Sequence, residues 1–371
     1  MSEFINRPLS RRGFLGGATV AAGLGLTACG GGQQKAAEAP SGKEGGGTIT
    51  AGTAYSTQNY DPSTTSSALA LGVNWQVVEG LYGLNFHDYS TFNELATADP
   101  KKVDDYTFEI TLRDGAKFSD GNEVKADDVV ESFNRSAAKG SVYVPMLSPI
   151  ASVEKKDDKT VTVKTTIANF SLLKERLSIV RVVPASSSQD EMKKQPVGSG
   201  PWMYESISDN TLDLVPNKNY NGATPAKDDK LHYDVLKDPT ARLTAQQDGT
   251  TLAMEMVPAD AVDQLKGAGC TVDAVQGFGV RFAMFNLGKA PWDNVKVRQA
   301  CLYALDTDKM LANAFSGQAE VATSYLPSSF ANYHKASTVY AHDHDNAKKL
   351  NSDSGITPGQ LLIRTTDNQQ V

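Results

Sequence analysis

The chain has 371 residues, 36 Lys and Arg against 43 Asp and Glu, and a net charge of −7. Its 40% hydrophobic content supports a sizeable core, and 21% charge with 16 Pro and 31 Gly excludes collagen-like, coiled-coil and wholly disordered chains. The acidic balance argues against a nucleic-acid partner, three cysteines cannot build a disulfide framework, and no run reaches the roughly 20 apolar residues of a membrane span.

The chain opens with Ser10-Arg11-Arg12-Gly13-Phe14-Leu15, a short Gly-rich apolar stretch to Leu26, and then Thr27-Ala28-Cys29. Paired Arg11 and Arg12 ahead of a weakly apolar stretch resemble a twin-arginine export signal. Leu26 to Cys29 resembles a lipobox, in which cleavage leaves Cys29 first and its thiol carries a lipid. Residues 1–28 are therefore expected to be a removed signal. Residues 29–47 are small, polar and Gly-rich, and are expected to act as a flexible tether. This order predicts an extracytoplasmic protein, lipid-anchored to the face of a membrane it does not span.

The folded body is expected to begin with a β-prone run at Thr48–Thr53. Ala70 to Tyr82 reads as an amphipathic helix with Val73, Val77, Val78 and Leu81 inward. Tyr106 to Leu112 alternates strictly and predicts a half-buried strand. Two Asp-Gly turns, at Asp114-Gly115 and Asp120-Gly121, precede a helix over Ala126–Arg135 whose first turn carries Asp127 and Asp128. A strand pair at Ile150–Lys155 and Thr160–Thr165 meets at a charged turn, and Phe170–Leu177 reads as a short helix. Met203–Ile207 and Thr211–Val215 form a predicted hairpin. Helices are expected at Thr240–Gln247 and Ala259–Lys266, and a strand at Val280–Asn286. Asn294 is placed to cap a helix over Val295–Ala304 with Val297, Cys301 and Leu305 on one apolar face, Asp306 to cap the next, closed by Gly317, and Asp343 one through Leu350 that Gly355 ends. Mixed strands and helices in this order predict an α/β protein. Leu361 to Thr365 starts a strand with no partner behind it, so the chain is expected to stop inside a domain.

Several segments together resemble the family-5 extracellular solute-binding proteins of peptide and nickel ABC importers. The densest block is Tyr106 to Leu112, then Arg113-Asp114-Gly115, Phe118-Ser119-Asp120-Gly121 and Ala126-Asp127-Asp128-Val129. Val197-Gly198-Ser199-Gly200-Pro201-Trp202 is similar to the family's glycine hinge loop. Phe285-Asn286, Pro291-Trp292, Val297-Arg298-Gln299-Ala300 and Tyr303 to Asp306 extend the likeness, as do Asp61-Pro62 and Glu79-Gly80-Leu81. Three positions depart from it: Lys125 where a hydroxyl often caps the helix, Gly249 to Leu252 in place of a Gly-x-x-Asp turn, and Asn221 where Trp is common.

The resemblance implies a two-lobed periplasmic-binding-protein-like fold of type II. Residues 48–78 and 182–278 would form the first-lobe core, 79–181 its extra subdomain, and 279–371 the start of an incomplete second lobe. It implies capture of an oligopeptide, or of a nickel chelate, opine or oligosaccharide on the same scaffold, for delivery to an ABC permease and ATPase. Ser66, Ser67, Ala68, Tyr143, Val280, Arg281 and Phe282 would contact ligand, and Gly198 and Gly200 would form the hinge. The protein is expected to be a monomer with no enzymatic activity, cofactor or metal. A receptor lipoprotein without a transport role is the rival from another class.

Two chemistries compete with that reading. Ser171-Leu172-Leu173-Lys174 and Ser208-Asp209-Asn210 imitate two elements of acyl-serine enzymes, but the Lys-Thr-Gly third element is missing downstream. His342-Asp343-His344-Asp345 could approach a divalent cation, yet Asp343 already has a capping role and the run reads as a solvated helix start. Cys270 and Cys301 are expected to stay unpaired, since twin-arginine cargo folds among reduced thiols, and Cys301 reads as a small core residue.

Overall fold

A computed structural model describes residues 46–356 apart from 87, 276, 278, 316–318 and 331. Arg11, Arg12, Cys29, Gly317 and the Leu361–Thr365 strand lie outside the described residues. The elements run β1 (Thr48–Thr53), α1 (Ala68–Val77), β2 (Tyr82–Leu84), β3 (Thr91–Asn93), β4 (Lys101–Lys102), β5 (Thr107–Thr111), α2 (Ala126–Ser136) and α3 (Val144–Leu147). Then come β6 (Ile150–Asp157), β7 (Thr160–Thr165), α4 (Leu173–Leu177), α5 (Gln189–Lys194), β8 (Trp202–Ile207), β9 (Thr211–Pro216) and β10 (Lys230–Val235). The chain continues through α6 (Pro239–Gln247), β11 (Ala253–Met254), α7 (Val262–Gly267), α8 (Val295–Ala304), α9 (Thr307–Phe315) and α10 (His344–Ser354).

Two sheets organise two cores. The first sheet has the order β11-β1-β10-β9-β8, with β1 parallel to both β10 and β11 and antiparallel pairing beyond. Leu212, Leu214 and Leu231 from its strands meet Val73, Val77 and Val78 from the end of α1, closing a core drawn from residues 60–78 and 183–231. The second sheet, β4-β5-β7-β6, is antiparallel throughout. Phe108, Ile110, Val161 and Val163 turn inward from it against Val129 and Phe133 of α2, in a core drawn from residues 81–182. The strict alternation in β5 is the cause, since successive strand side chains face opposite ways.

Helix ends follow the expected chemistry. Asn294 accepts a hydrogen bond from the Lys296 amide at 2.9 Å, Asp306 from Lys309 at 3.1 Å, and Asp343 from Asn346 at 2.9 Å. Gly355 closes α10 in the left-handed region at φ 69°. Lys125, standing where a hydroxyl is common, leaves the capping to Asp128, whose Oδ2 accepts from the Lys125 amide at 2.8 Å.

Four expectations need correction. α1 ends at Val77, not Tyr82, because later backbone groups bond elsewhere: the Gly200 amide donates to Val77 O at 2.9 Å and the Val182 amide to Glu79 O at 2.8 Å. Val280–Asn286 pairs with no strand among the described residues and forms no regular element, with Phe282 71% and Met284 84% exposed. The helix expected from Phe170 starts only at Leu173. Leu305, expected on the apolar face of α8, is exposed, while Val297 is buried and Cys301 half-buried. Cys270 and Cys301 are both free, and burial pushes the Cys301 thiol up.

A polar seam joins the two cores. Arg113 holds Glu79 through two bonds of 3.1 Å each, donates to the carbonyl of Glu94, and places Nε 2.9 Å from Asn221 Oδ1. Asn221 Nδ2 also donates to Asp114 O at 2.9 Å, so the departure from Trp at this position carries its own hydrogen bonds. Arg181 Nη1 pairs with Glu94 Oε2 at 2.8 Å, and its guanidinium lies 3.1 Å above the Trp75 ring. Beside this network Ser119 N donates to Gly198 O, and Asn217 Nδ2 to Gly200 O, each at 2.9 Å.

Candidate functional site

Where β1 and β11 end side by side and α1 runs past them, the structure holds a cavity of about 310 Å³. The carboxyl ends of parallel strands leave such a crevice because the following chain segments diverge there. Gly52 and Thr53 close it from β1, Ala68, Gly72 and Gln76 line it along one stripe of α1, and Tyr233, Met254 and Glu255 complete it. Small residues on the α1 stripe leave the room. Spacing of three to four residues puts them on one helix face.

Polar groups in this mostly apolar cavity are few and placed. Gln76 Nε2 donates to the Tyr233 hydroxyl at 2.9 Å. Glu255 Oε1 accepts from Thr53 Oγ1 at 2.5 Å and from the Ala54 amide at 3.3 Å. Burial raises the Tyr233 phenol, with the Gln76 hydrogen bond opposing and the Glu255 carboxylate adding to the rise. Burial, then the same carboxylate, raises the Tyr55 phenol, with Arg242 opposing. Arg242 directs Nη1 to the carbonyls of Leu236 and Lys237 and Nη2 to that of Met256. Among the described residues no cation stands within ion-pair distance of Glu255.

The sequence-predicted ligand residues divide into two groups. Ser67 occupies the N-cap position of α1 in an extended conformation, without a side-chain capping bond, and Ala68 begins the cavity-lining stripe, while Ser66 is exposed. Among the described residues the Ser66 backbone makes no hydrogen bond. Tyr143 joins this group through its hydroxyl, which donates to Thr65 O at 3.1 Å, but its ring is buried in the second core. Tyr143 therefore braces the chain just before Ser66; the expected ligand-facing wall is not formed by its ring. Val280, Arg281 and Phe282 stand apart, and no hydrogen bond, ion pair or ring contact among the described residues links them to Ser66–Ala68. Arg281 lies 4.8 Å above the Phe315 ring, and the exposure of Phe282 rules out simple core packing.

Gly198 and Gly200 press against the end of α1, the loop's other side bonding to Ser119 and Asn217. A Cβ on Gly198 would lie 2.0 Å from Val77 O, and one on Gly200 2.5 Å from Gln76 O. Ser171 precedes α4, so it does not share a helical turn with Lys174, which pairs with Asp99 at 2.6 Å. Ser208 closes the β8–β9 hairpin by accepting from the Thr211 amide at 2.9 Å. Among the described residues neither serine hydroxyl is hydrogen-bonded to a basic side chain. Asp343 caps α10, and His342 faces Asp306 at 3.7 Å; no group of three metal-ligating side chains occurs among the described residues. No described helix is long and apolar enough to cross a membrane.

Thr53, Gln76, Tyr233 and Glu255 escaped the reading of the sequence. The alternation of Leu231, Tyr233 and Val235 was the available signal, and it marks β10 as a strand without naming its neighbour.

The family model of bacterial extracellular solute-binding proteins, family 5, matches residues 92–371. Heme-binding protein A of Haemophilus influenzae is 32% identical over 311 residues, covering 74% of this chain and 56% of the relative. A putative ABC transporter peptide-binding protein of Brucella ovis is 29% identical over 269 residues, covering 67% of this chain and 49% of the relative. The chain thus spans about half the length of the curated relatives it matches. Among solved structures, the ABC transporter-associated periplasmic binding protein DppA from Helicobacter pylori, in complex with peptide STSA, superposes with a TM-score of 0.73. It is 20% identical, and the match covers 84% of this chain and 67% of that one. The chain belongs to the family-5 extracellular solute-binding proteins and has their α/β, two-lobed binding-protein fold.

Proposed function

We propose that this family-5 chain is the capture component of an ABC importer, taking up short peptides and passing them to a membrane permease and its ATPase. The observation that carries the reading is the cavity between β1, β11 and α1, bordered by the Ser66–Ala68 segment. An extended ligand can add to exposed backbone like an extra strand, a mode that tolerates varied side chains, and the unpaired Ser66 backbone supports it. The putative peptide-binding relative from Brucella ovis points the same way. Val280, Arg281 and Phe282 would form the facing wall, with 279–371 as the start of the second lobe. Residues 48–78 and 182–278 would be the first-lobe core and 79–181 its subdomain. Gly198 and Gly200 would set the hinge between moving parts, by close packing at the end of α1. No covalent chemistry is required, since closing over the ligand is enough.

Calorimetry of the chain against a mixed tetrapeptide pool is expected to give saturable heat. Heat with a nickel–histidine chelate or an oligosaccharide, and none with the pool, would replace peptides by that ligand class.

The same reading places a monomeric protein on the outer face of the cell membrane, exported through Arg11 and Arg12 and anchored by lipid on Cys29. Cys29→Ala is expected to move it from the membrane to the soluble fraction. Retention in the membrane fraction would mean a different anchor.

A further inference from the structure

We propose that His232 is a proton-operated staple on the first sheet. As the imidazolium it ties β9 to β10 and holds Asp234 beside it; on losing a proton it releases one of the two carboxylates. The staple belongs to the body of the protein and is independent of which solute is captured.

His232 and Asp213 stand opposite each other across the antiparallel β9–β10 pair. Nδ1 of the imidazole lies 2.6 Å from Asp213 Oδ1, and Nε2 lies 3.2 Å from Asp234 Oδ1. An ionised carboxylate accepts but cannot donate, so both contacts are hydrogen bonds only when both ring nitrogens carry a proton. The neutral ring can donate to one of them alone.

The neighbouring charges favour the imidazolium. Residues two apart on a strand share a face, which puts Lys230 and Asp234 with His232. Lys230 reaches Asp213 at 3.0 Å and Glu205 of β8 at 3.1 Å. On the other side β1 brings Thr50 opposite His232 and Gly52 opposite Asp234, neither of them charged. Arg242, from the helix packed on β1, is turned to the carbonyls of Leu236, Lys237 and Met256. Asp213, Asp234 and Glu205 therefore share the Lys230 ammonium, and the proton on His232 supplies a second positive charge. Hydrogen bonding to Asp213 raises the imidazole, burial opposes this, and the bond to Asp234 adds to the rise. Against its own burial, Asp213 is brought down to about 2 by bonds from His232, Lys230 and Ser206.

A histidine raised in the folded state contributes stability that is complete below its unfolded value, about 6.5, and is lost as pH climbs through the folded one. Asp213, being depressed, loses its share only as pH falls from about 4 toward that lower value. The staple thus holds in a mildly acidic medium and opens on the alkaline side. Tyr233 lies between the two stapled residues and points to the opposite face, where it lines the cavity. Opening the staple therefore loosens the strand that carries this wall.

The deciding experiment joins an NMR titration of the imidazole protons of the chain to urea unfolding at pH 6 and pH 8.5. His232, identified as the signal missing from His232→Gln, is expected to titrate above about 6.5. Asp234→Asn removes one facing charge and is expected to lower that midpoint. The Gln amide donates alike at every pH, so it imitates the ring without its switch. The factor by which the folding equilibrium of the unaltered chain exceeds that of His232→Gln is expected to fall at least about threefold from pH 6 to pH 8.5, the scale of a partly exposed ion pair. A midpoint at or below about 6.5, or a factor that is the same at both pH values, would overturn the staple. If His232→Gln does not fold, Asp234→Asn decides. One imidazole midpoint that lies above the ordinary value and drops in that variant supports the staple, and no such drop overturns it.

Discussion

Arg181→Met is expected to destabilise the fold by about 3–5 kcal/mol, the range found when one member of a buried ion pair is removed. Arg181 is 6% exposed, and its partner Glu94 also accepts from the Gly80 amide at 2.6 Å. Burial, only partly offset by Arg181, already holds the Glu94 carboxyl above the usual carboxylate range. Without Arg181 that folded-state value rises further, while the unfolded value does not change. The variant's folded state then binds a proton more readily than its unfolded state, so its deficit shrinks as pH falls toward the raised value. Adding Glu94→Gln should recover most of the loss, because a neutral amide can still accept from Gly80 without a buried charge. Urea unfolding at pH 7 and pH 5 measures both effects. A loss under about 1 kcal/mol, or a deficit that grows on acidification, would show that the seam does not depend on this pair.

The contrast between what the sequence disclosed and what it hid follows from the range of the interactions. Strand β5 was legible because Phe108 and Ile110 alternate with polar neighbours, and the caps Asn294, Asp306 and Asp343 act within three residues of themselves. The end of α1 was not legible. The run through Leu81 keeps an inward-facing pattern, and Leu81 is indeed buried, but Gly200, Glu94 and Arg181 claim the backbone groups from Val77 onward. Those partners lie from 14 to more than 100 residues away, beyond the reach of any local pattern. Val280–Asn286 failed for the complementary reason, since alternation makes a strand only where another strand is available to pair with it.

The candidate site divides along the same line. Ser66–Ala68 could be located from the likeness to a known family, and the structure sets it at the start of α1. Glu255 could not, because its place depends on β11 lying parallel to β1, a pairing across 202 residues that begins at Ala51 and Ala253. Tyr143, expected as a ligand contact, is tied to that segment by one hydroxyl bond to Thr65, while its ring belongs to the core.

The Gly198→Ala substitution is expected to lower stability by about 3 kcal/mol, near the upper end for overpacking a rigid site. The added Cβ would lie 2.0 Å from Val77 O, 2.7 Å from Val77 C and 2.8 Å from Val78 Cα, and all three atoms are backbone. No side-chain rotation can relieve such a contact. Either the end of α1 retreats, or the loop does, and the 2.9 Å bond from the Gly200 amide to Val77 O is stretched in both cases. For a body of this size that loss corresponds to a fall in melting temperature of roughly 4–5 °C. Gly72→Ala provides the opposite case within the same helix. A Cβ there meets nothing within 4 Å, so replacing a helical glycine by alanine should stabilise by about 0.5–1 kcal/mol. Because Gly72 lines the cavity, that variant should also narrow it, while Gly198→Ala should displace α1 at the end away from Ala68. Thermal unfolding of the two variants side by side tests the pair. A harmless Gly198→Ala would mean that the loop yields freely at the end of α1, and the close packing invoked for the hinge would then have no energetic basis.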